Sequence, residues 1–184
     1  MNDPGRALRL VFFGTPEFAV PSLQALLDSR HPVVGAVTQP DRPRGRGQRV
    51  TECPVKALAL AHAIPVLQPE KLKDEGFLEA LRNWHADLGV VAAYGRILPS
   101  AVLETPPLGL INVHASLLPR HRGAAPVHRA VIAGDAVTGV SIMRVVQALD
   151  AGAVFATVER PIGPDDTSAE VEPDLARLGA ALAD

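Results

Sequence analysis

Apolar residues in this chain fall into short, nearly unbroken runs separated by stretches with helical spacing. Leu8–Phe13 (LRLVFF) stops at Gly14, Val33–Thr38 reads VVGAVT, Asp87–Ala93 reads DLGVVAA, and Leu108–His114 reads LGLINVH. Runs that do not alternate with polar residues predict strands covered on both faces. Between them, Phe18, Val20, Leu23, Leu26 and Leu27 carry the spacing of a helix face. Thr15 is placed to cap that helix, with Pro16 and Glu17 in its first turn and Pro21 as a source of a kink. Further helices are expected over Lys56–Ala63, Lys71–Trp84 and Ala125–Ala133, the last ending at Gly134, with a short strand at Ile64–Leu67. Thr138–Val146 and Ala153–Ile162 read as two later strands, a hairpin or antiparallel edge. Asp166 or Thr167 caps a last helix running to Ala183, which Pro173 should distort.

Strands alternating with helices predict an α/β fold, a Rossmann-like, mostly parallel sheet with helices on both faces. Ligands in such folds bind beyond the carboxyl ends of the strands. Tyr94, Gly95, Asn112 and His114 all stand at or just past such ends.

One stretch breaks the rhythm. QPDRPRGRGQRVTECP has no periodicity, is rich in Pro, Gly and Arg, and reads as a long exposed loop. It holds Arg42, Arg44, Arg46 and Arg49. Two readings stand: a solvated loop, or guanidinium groups free to fork onto phosphates. The whole-chain charge of −2 does not favour nucleic acid, so any such contact has to be local.

A length of 184 residues suits one domain, and 47% hydrophobic with 21% charged residues suits a globular protein. Cys53 is the single cysteine, which excludes an intramolecular disulfide and fits a reducing compartment. The first apolar run is too short for a signal peptide, and no stretch approaches the ~18 apolar residues of a membrane span. A cytoplasmic protein with no membrane partner is expected.

The six histidines form neither HExxH nor a cluster with metal spacing, so no metal is expected. GxGxxG and GxSxG are missing, which weighs against a NAD-binding domain and a serine hydrolase. Four of the histidines sit in helices, turns or loops where solvation accounts for them. His114 differs: it ends a buried strand two residues after Asn112, and residues two apart on a strand share a face. Asp150, in QALDAGAVF, is either a turn-forming residue or the acid that orients His114.

The ordered segments VFFGTPEFAVPSLQALL, VTQPDRPRGRGQ, IPVLQPEKL, DLGVVAAYGRILP, GLINVHASLLPRHRGAAPVHRAVIAGD and TGVSIMRVVQALDAG together resemble the methionyl-tRNA formyltransferases, over nearly the whole chain. NVHASLLP and LDAG alone are shared more widely among folate-dependent formyltransferases. GTPEFAVP and the Pro-Asp-Arg-Pro loop point to the tRNA-directed branch.

The resemblance implies the formyltransferase fold, 10-formyltetrahydrofolate as donor, and the amino group of methionine on initiator tRNA as acceptor. It implies Asn112, His114 and Asp150 as catalytic residues. Ser116, Leu117, Leu118 and Pro119, with Tyr94, Gly95, Ile97 and Leu98, would line the folate site. Arg42, Arg44, Arg46 and Arg49 would contact tRNA. It further implies a monomer in which residues 1–184 form the catalytic domain, the family's C-terminal barrel domain being absent from this chain. Alternatives are a formyltransferase acting on a small amine, such as glycinamide ribonucleotide or an amino sugar nucleotide, and an inactive folate-binding fragment.

Such chemistry suits the residues. An amide N–H from Asn112 can meet charge developing on the formyl oxygen. Imidazole changes charge near neutrality and can move the proton from amine to leaving nitrogen.

Overall fold

The computed structural model describes residues 6–41, 43–44, 49–50 and 52–183. Seven strands form one sheet in the order β5-β2-β1-β6-β7-β8-β9. They are β1 (Leu10–Gly14), β2 (Val33–Val37), β5 (Val66–Leu67), β6 (Leu88–Ala92), β7 (Leu110–His114), β8 (Val137–Arg144) and β9 (Val154–Pro161). The first five are mutually parallel. β8 runs antiparallel to β7, and β9 antiparallel to β8. The α/β expectation and the antiparallel edge both hold.

The apolar runs form a buried sheet because each face has its own helical cover. On one face Leu10, Phe12, Val90, Ala92 and Val113 pack with residues of α1 (Val20–Asp28), α2 (Pro54–Ala61), α5 (Pro126–Ile132) and α6 (Ser168–Ala183). On the other, Val11, Phe13, Val37, Val91 and Leu110 pack with α3 (Glu75–Asn83) and α4 (Ser100–Leu103). Asp74 caps α3 by accepting the Phe77 N–H at 3.1 Å, which starts the helix later than Lys71. The α4 turn has no counterpart in the sequence reading. Its four residues are too few to show a period.

Two local expectations are corrected. Glu17–Ala19 forms a separate 3-10 turn before α1, so Pro21 lies in the first turn of α1, where its missing N–H costs nothing. Thr15 does not cap that helix; its hydroxyl accepts the Gln39 N–H at 3.2 Å and donates to the Tyr94 carbonyl at 3.4 Å. Pro173 lies inside α6 without ending it, in a helix held by buried Val171, Leu175 and Ala176.

The chain runs from β1 outward through β2 to β5, then returns to start β6 on the other side of β1. The strand order therefore reverses between β1 and β6, and this opens a crevice at their carboxyl ends. Gly14 keeps that crevice tight, since a Cβ there would lie 2.9 Å from the Ala92 carbonyl oxygen.

Candidate active site

The crevice is a cavity of about 600 Å³ with predominantly apolar walls, within the range of small-molecule sites. Tyr94, Gly95, Ile97 and Leu98 line it from the turn after β6, and Asn112 and His114 line it from β7. Met143, Val145, Val146 and Leu149 form the wall from the end of β8 and the turn that follows. Gly123, Ala124, Ala125, Pro126 and His128 close it from the start of α5. Asp150 also faces it, so Asn112, His114 and Asp150 meet at one cavity.

Each of the three is placed by backbone. Asn112 and His114 share a strand face because β7 continues to the last residue of the run, opposite Met143 and Ser141 of β8. His114 is buried, 6% exposed. Its Nε2 lies 3.2 Å from the His121 carbonyl oxygen. A carbonyl only accepts, so Nε2 carries the ring proton in the neutral form. Nδ1 lies on the other side, 3.7 Å from Asp150 Oδ2.

That distance is an ionic contact and too long for a hydrogen bond. The Asp150 carboxylate is held instead by the Gly123 N–H, at 2.8 Å. Asp150 itself has φ +45°, a left-handed conformation that Asp tolerates better than most residues. Two residues on, a Cβ at Gly152 would stand 1.9 Å from the Arg144 carbonyl oxygen, so the DAG turn closes tightly on β8.

Ser116, Leu117, Leu118 and Pro119 lie outside the lining of this cavity. Ser116 is fully buried, and its hydroxyl donates to the Arg120 carbonyl at 2.6 Å. The Ser141 hydroxyl donates to the Ser116 carbonyl at 2.7 Å and accepts the Leu118 N–H at 3.1 Å. Leu117 packs over Gly139, where a Cβ would come within 2.6 Å of it. These residues brace the loop that returns to Gly123 and do not form a wall.

Tyr94 is 2% exposed, edge-on to Phe13 with ring centres 5.7 Å apart. Burial pushes its hydroxyl above the ordinary phenol range. Its carbonyl takes the Gln39 side-chain N–H at 2.8 Å, so the turns after β1, β2 and β6 are tied together under the cavity.

The arginine segment departs from a plain loop. β3 (Pro43–Arg44) and β4 (Arg49–Val50) pair antiparallel as a small ribbon, with Arg44 opposite Arg49. Arg42 and Arg46 lie outside the described residues. The foot of the ribbon is fastened by Lys56, whose Nζ contacts Asp41 Oδ2 at 2.5 Å and Gln68 Oε1 at 3.0 Å. The Lys56 ammonium holds the Asp41 carboxyl below the usual range, and Asp41 in turn raises Lys56. No group of three or more His, Cys, Asp or Glu among the described residues is arranged to hold a metal ion. No helix among them is long and apolar enough to cross a membrane.

Residues 8–182 match the formyl transferase family. The chain belongs to that family. Among curated relatives, the methionyl-tRNA formyltransferase of Symbiobacterium thermophilum is 54% identical over 175 residues, 95% of this chain and 54% of its own length. That of Chromohalobacter salexigens is 57% identical over 173 residues, 94% of this chain and 53% of its own length. The chain thus spans about half the length of these relatives.

Among solved structures, glycinamide ribonucleotide transformylase 1 from Geobacillus kaustophilus superposes with a TM-score of 0.78 at 24% identity, over 96% of this chain and 95% of that one. A formyltetrahydrofolate deformylase from Pseudomonas syringae gives 0.77 at 21% identity, over 99% of this chain and 61% of that one. These two likenesses concern the fold. In this formyl transferase chain the Asn112–His114–Asp150 set lies on the β7 and β8 side of the cavity that begins at the end of β6.

Three groups are absent from the sequence reading, the first being Gly123, Ala124, Ala125, Pro126 and His128 at the start of α5. Met143, Val145, Val146 and Leu149 stand at the end of an antiparallel strand and in its turn, where the carboxyl-end rule for parallel strands does not apply. His121, which the sequence does not single out, bonds through Nε2 to Asp135 Oδ2 at 2.6 Å, a partner fourteen residues away.

Proposed function

We propose that this chain transfers the formyl group of 10-formyltetrahydrofolate to the amino group of initiator methionyl-tRNA in the cytoplasm, as a monomer. The observation that carries the reading is the meeting of Asn112, His114 and Asp150 at one apolar-walled cavity. The 54% identity to relatives named methionyl-tRNA formyltransferase supports the acceptor. The donor is a substrate that brings an activated formyl group bound to nitrogen. A cavity of about 600 Å³ with a mostly apolar lining suits a flat pterin with few polar anchors. Tyr94, Gly95, Ile97 and Leu98 are assigned to its binding, while Ser116, Leu117, Leu118 and Pro119 act by bracing the neighbouring loop.

In this reading Asn112 donates its amide N–H to the formyl oxygen as negative charge develops there. His114 Nδ1, the nitrogen left without a proton, accepts the proton lost by the attacking amine. It then returns that proton to the departing folate nitrogen. The Asp150 carboxylate at 3.7 Å stabilises positive charge on the ring while the proton resides there. Asn112→Ala lowers the single-turnover rate by about 100-fold, the scale for one oxyanion donor, with donor affinity little changed. Rapid-quench measurements on the variant check this.

The arginine segment supports tRNA as the acceptor because it sets a dense cationic sequence in an otherwise slightly acidic chain. Replacing Arg42, Arg44, Arg46 and Arg49 with glutamine weakens tRNA binding and flattens its dependence on salt concentration, by about one unit of log–log slope for each phosphate no longer neutralised. Donor binding is unchanged. Filter binding across a salt series reads both, and equal loss of tRNA and donor binding assigns the segment to folding.

The acceptor itself is tested by offering methionyl-tRNA and glycinamide ribonucleotide in parallel with the same formyl donor. Product on the tRNA is expected. Product on the small amine alone would replace the acceptor and keep the Asn112–His114–Asp150 chemistry.

A further inference from the structure

The described part of the molecule holds a second His–acid pair, close to the first and used by nothing above. His121 Nε2 stands 2.6 Å from Asp135 Oδ2, with His121 14% and Asp135 8% exposed at the side chain. Arg120 Nη2 holds the other oxygen of Asp135 at 2.6 Å. The His121 hydrogen bond is the foremost cause that keeps the Asp135 carboxyl below its usual range. Asp135 therefore remains an acceptor, and the His121 nitrogen facing it must be a donor.

The backbone of His121 is left-handed, φ +52°, in a residue type with a Cβ. Such a conformation persists where the surroundings impose it. Two anchors do so: the His121 side chain on Asp135, and the Arg120 carbonyl under the Ser116 hydroxyl at 2.6 Å. The consequence is the direction of one carbonyl. His121 O points at His114 Nε2, 3.2 Å away.

We propose that His121 and Asp135 are positioning residues for His114: by turning the His121 carbonyl onto His114 Nε2 they fix the ring proton on that nitrogen and leave Nδ1 bare beside Asp150. This rests on the reading that His114 moves the proton in formyl transfer. A neutral imidazole has two tautomers, and only the one with Nδ1 unprotonated can accept a proton on the side where Asp150 stands. The ring itself favours that tautomer only mildly, and Asp150 at 3.7 Å makes no hydrogen bond that could fix it. A carboxylate facing Nδ1 would on its own favour the opposite tautomer, with the proton on Nδ1. The His121 carbonyl has to outweigh that preference, and its aim depends on Asp135.

The test is the ring-nitrogen NMR spectrum of His114 in the 184-residue chain labelled with 15N-histidine, recorded for wild type, His121→Ala and His121→Gln. Glutamine keeps an N–H donor for Asp135. Wild type and His121→Gln are expected to show one tautomer, protonated at Nε2. His121→Ala is expected to show a mixture or the Nδ1-protonated form. In single turnover, His121→Ala should lose about tenfold in rate with donor affinity within about twofold, and His121→Gln should recover most of it.

An unchanged His114 tautomer in His121→Ala overturns the proposal, whatever the rate does, because a loop that merely loosens would slow transfer without moving the ring proton. Should His121→Ala not fold, Asp135→Asn carries the same reading: its weaker acceptor should populate the second tautomer, and an unshifted ring spectrum overturns the proposal. A wild-type chain that transfers no formyl counts against the proposed function, while the ring spectra still decide this inference.

Discussion

Replacing His114 with alanine lowers the rate of formyl transfer by about 10²- to 10⁴-fold, the range for loss of a positioned general acid–base group. The donor affinity stays close to wild type, because the cavity walls are apolar side chains from other elements, among them Leu98, Met143 and Val145. The size of the effect follows from the double duty of one nitrogen. In the proposed mechanism Nδ1 takes the amine proton and then delivers it to the leaving group, so both halves of the reaction would lose their proton carrier. The deletion also opens a cavity under a side chain that is only 6% exposed, which costs stability. Measurements are therefore made well below the melting range, with folding checked by circular dichroism. A fall in rate with unchanged donor affinity assigns His114 to chemistry. A rise in the donor dissociation constant with an unchanged rate would assign it to binding.

Asp150→Asn gives the second large loss, about 100-fold or more in single-turnover rate, at nearly unchanged stability. Asparagine is the informative replacement. It tolerates the left-handed backbone at φ +45° and can still accept the Gly123 N–H through its amide oxygen. What it removes is the negative charge 3.7 Å from His114 Nδ1. If the charge acts only through His114, then Asp150→Asn in a His114→Ala background adds little further loss, since residues acting as a unit are strongly non-additive. Multiplicative losses in the double variant would give Asp150 a separate role, directly on the substrate amine. Comparing the two single variants with the double resolves the matter.

Both expected outcomes depend on geometry that is unevenly legible in the sequence. The parallel sheet could be read because its strands are buried on both faces, so LVFF, VVGAV and LGVVA stand out as unbroken apolar runs. The co-facial Asn112 and His114 followed from strand spacing alone. Asp150 was visible as a turn residue with two open roles, and only the fold returns β8 to β7 so that this turn lands beside His114.

Other features had no local signal. Thr15 has the position of a helix cap, yet its hydroxyl is taken by the Gln39 N–H and the Tyr94 carbonyl, a tertiary bond that overrides the local preference. The Ser116–Pro119 segment reads as pocket wall by resemblance. In the structure Ser141, a buried polar residue on a neighbouring strand, turns its backbone into a brace. The arginine stretch shows no strand pattern because its ribbon is only two residues long on each side. His121 carries no signal in the sequence because its partner lies beyond α5 and no spacing rule connects the two.

The central claim is that this chain moves a formyl group to methionyl-tRNA through His114. It is tested most directly by a single-turnover assay with 10-formyltetrahydrofolate labelled in the formyl group, methionyl initiator tRNA, and excess enzyme, wild type beside His114→Ala. The account predicts label on the methionine amine with wild type and a rate at least about 100-fold lower with the variant. Label that stays on the folate with wild type, or moves to the tRNA equally fast with both proteins, would contradict it.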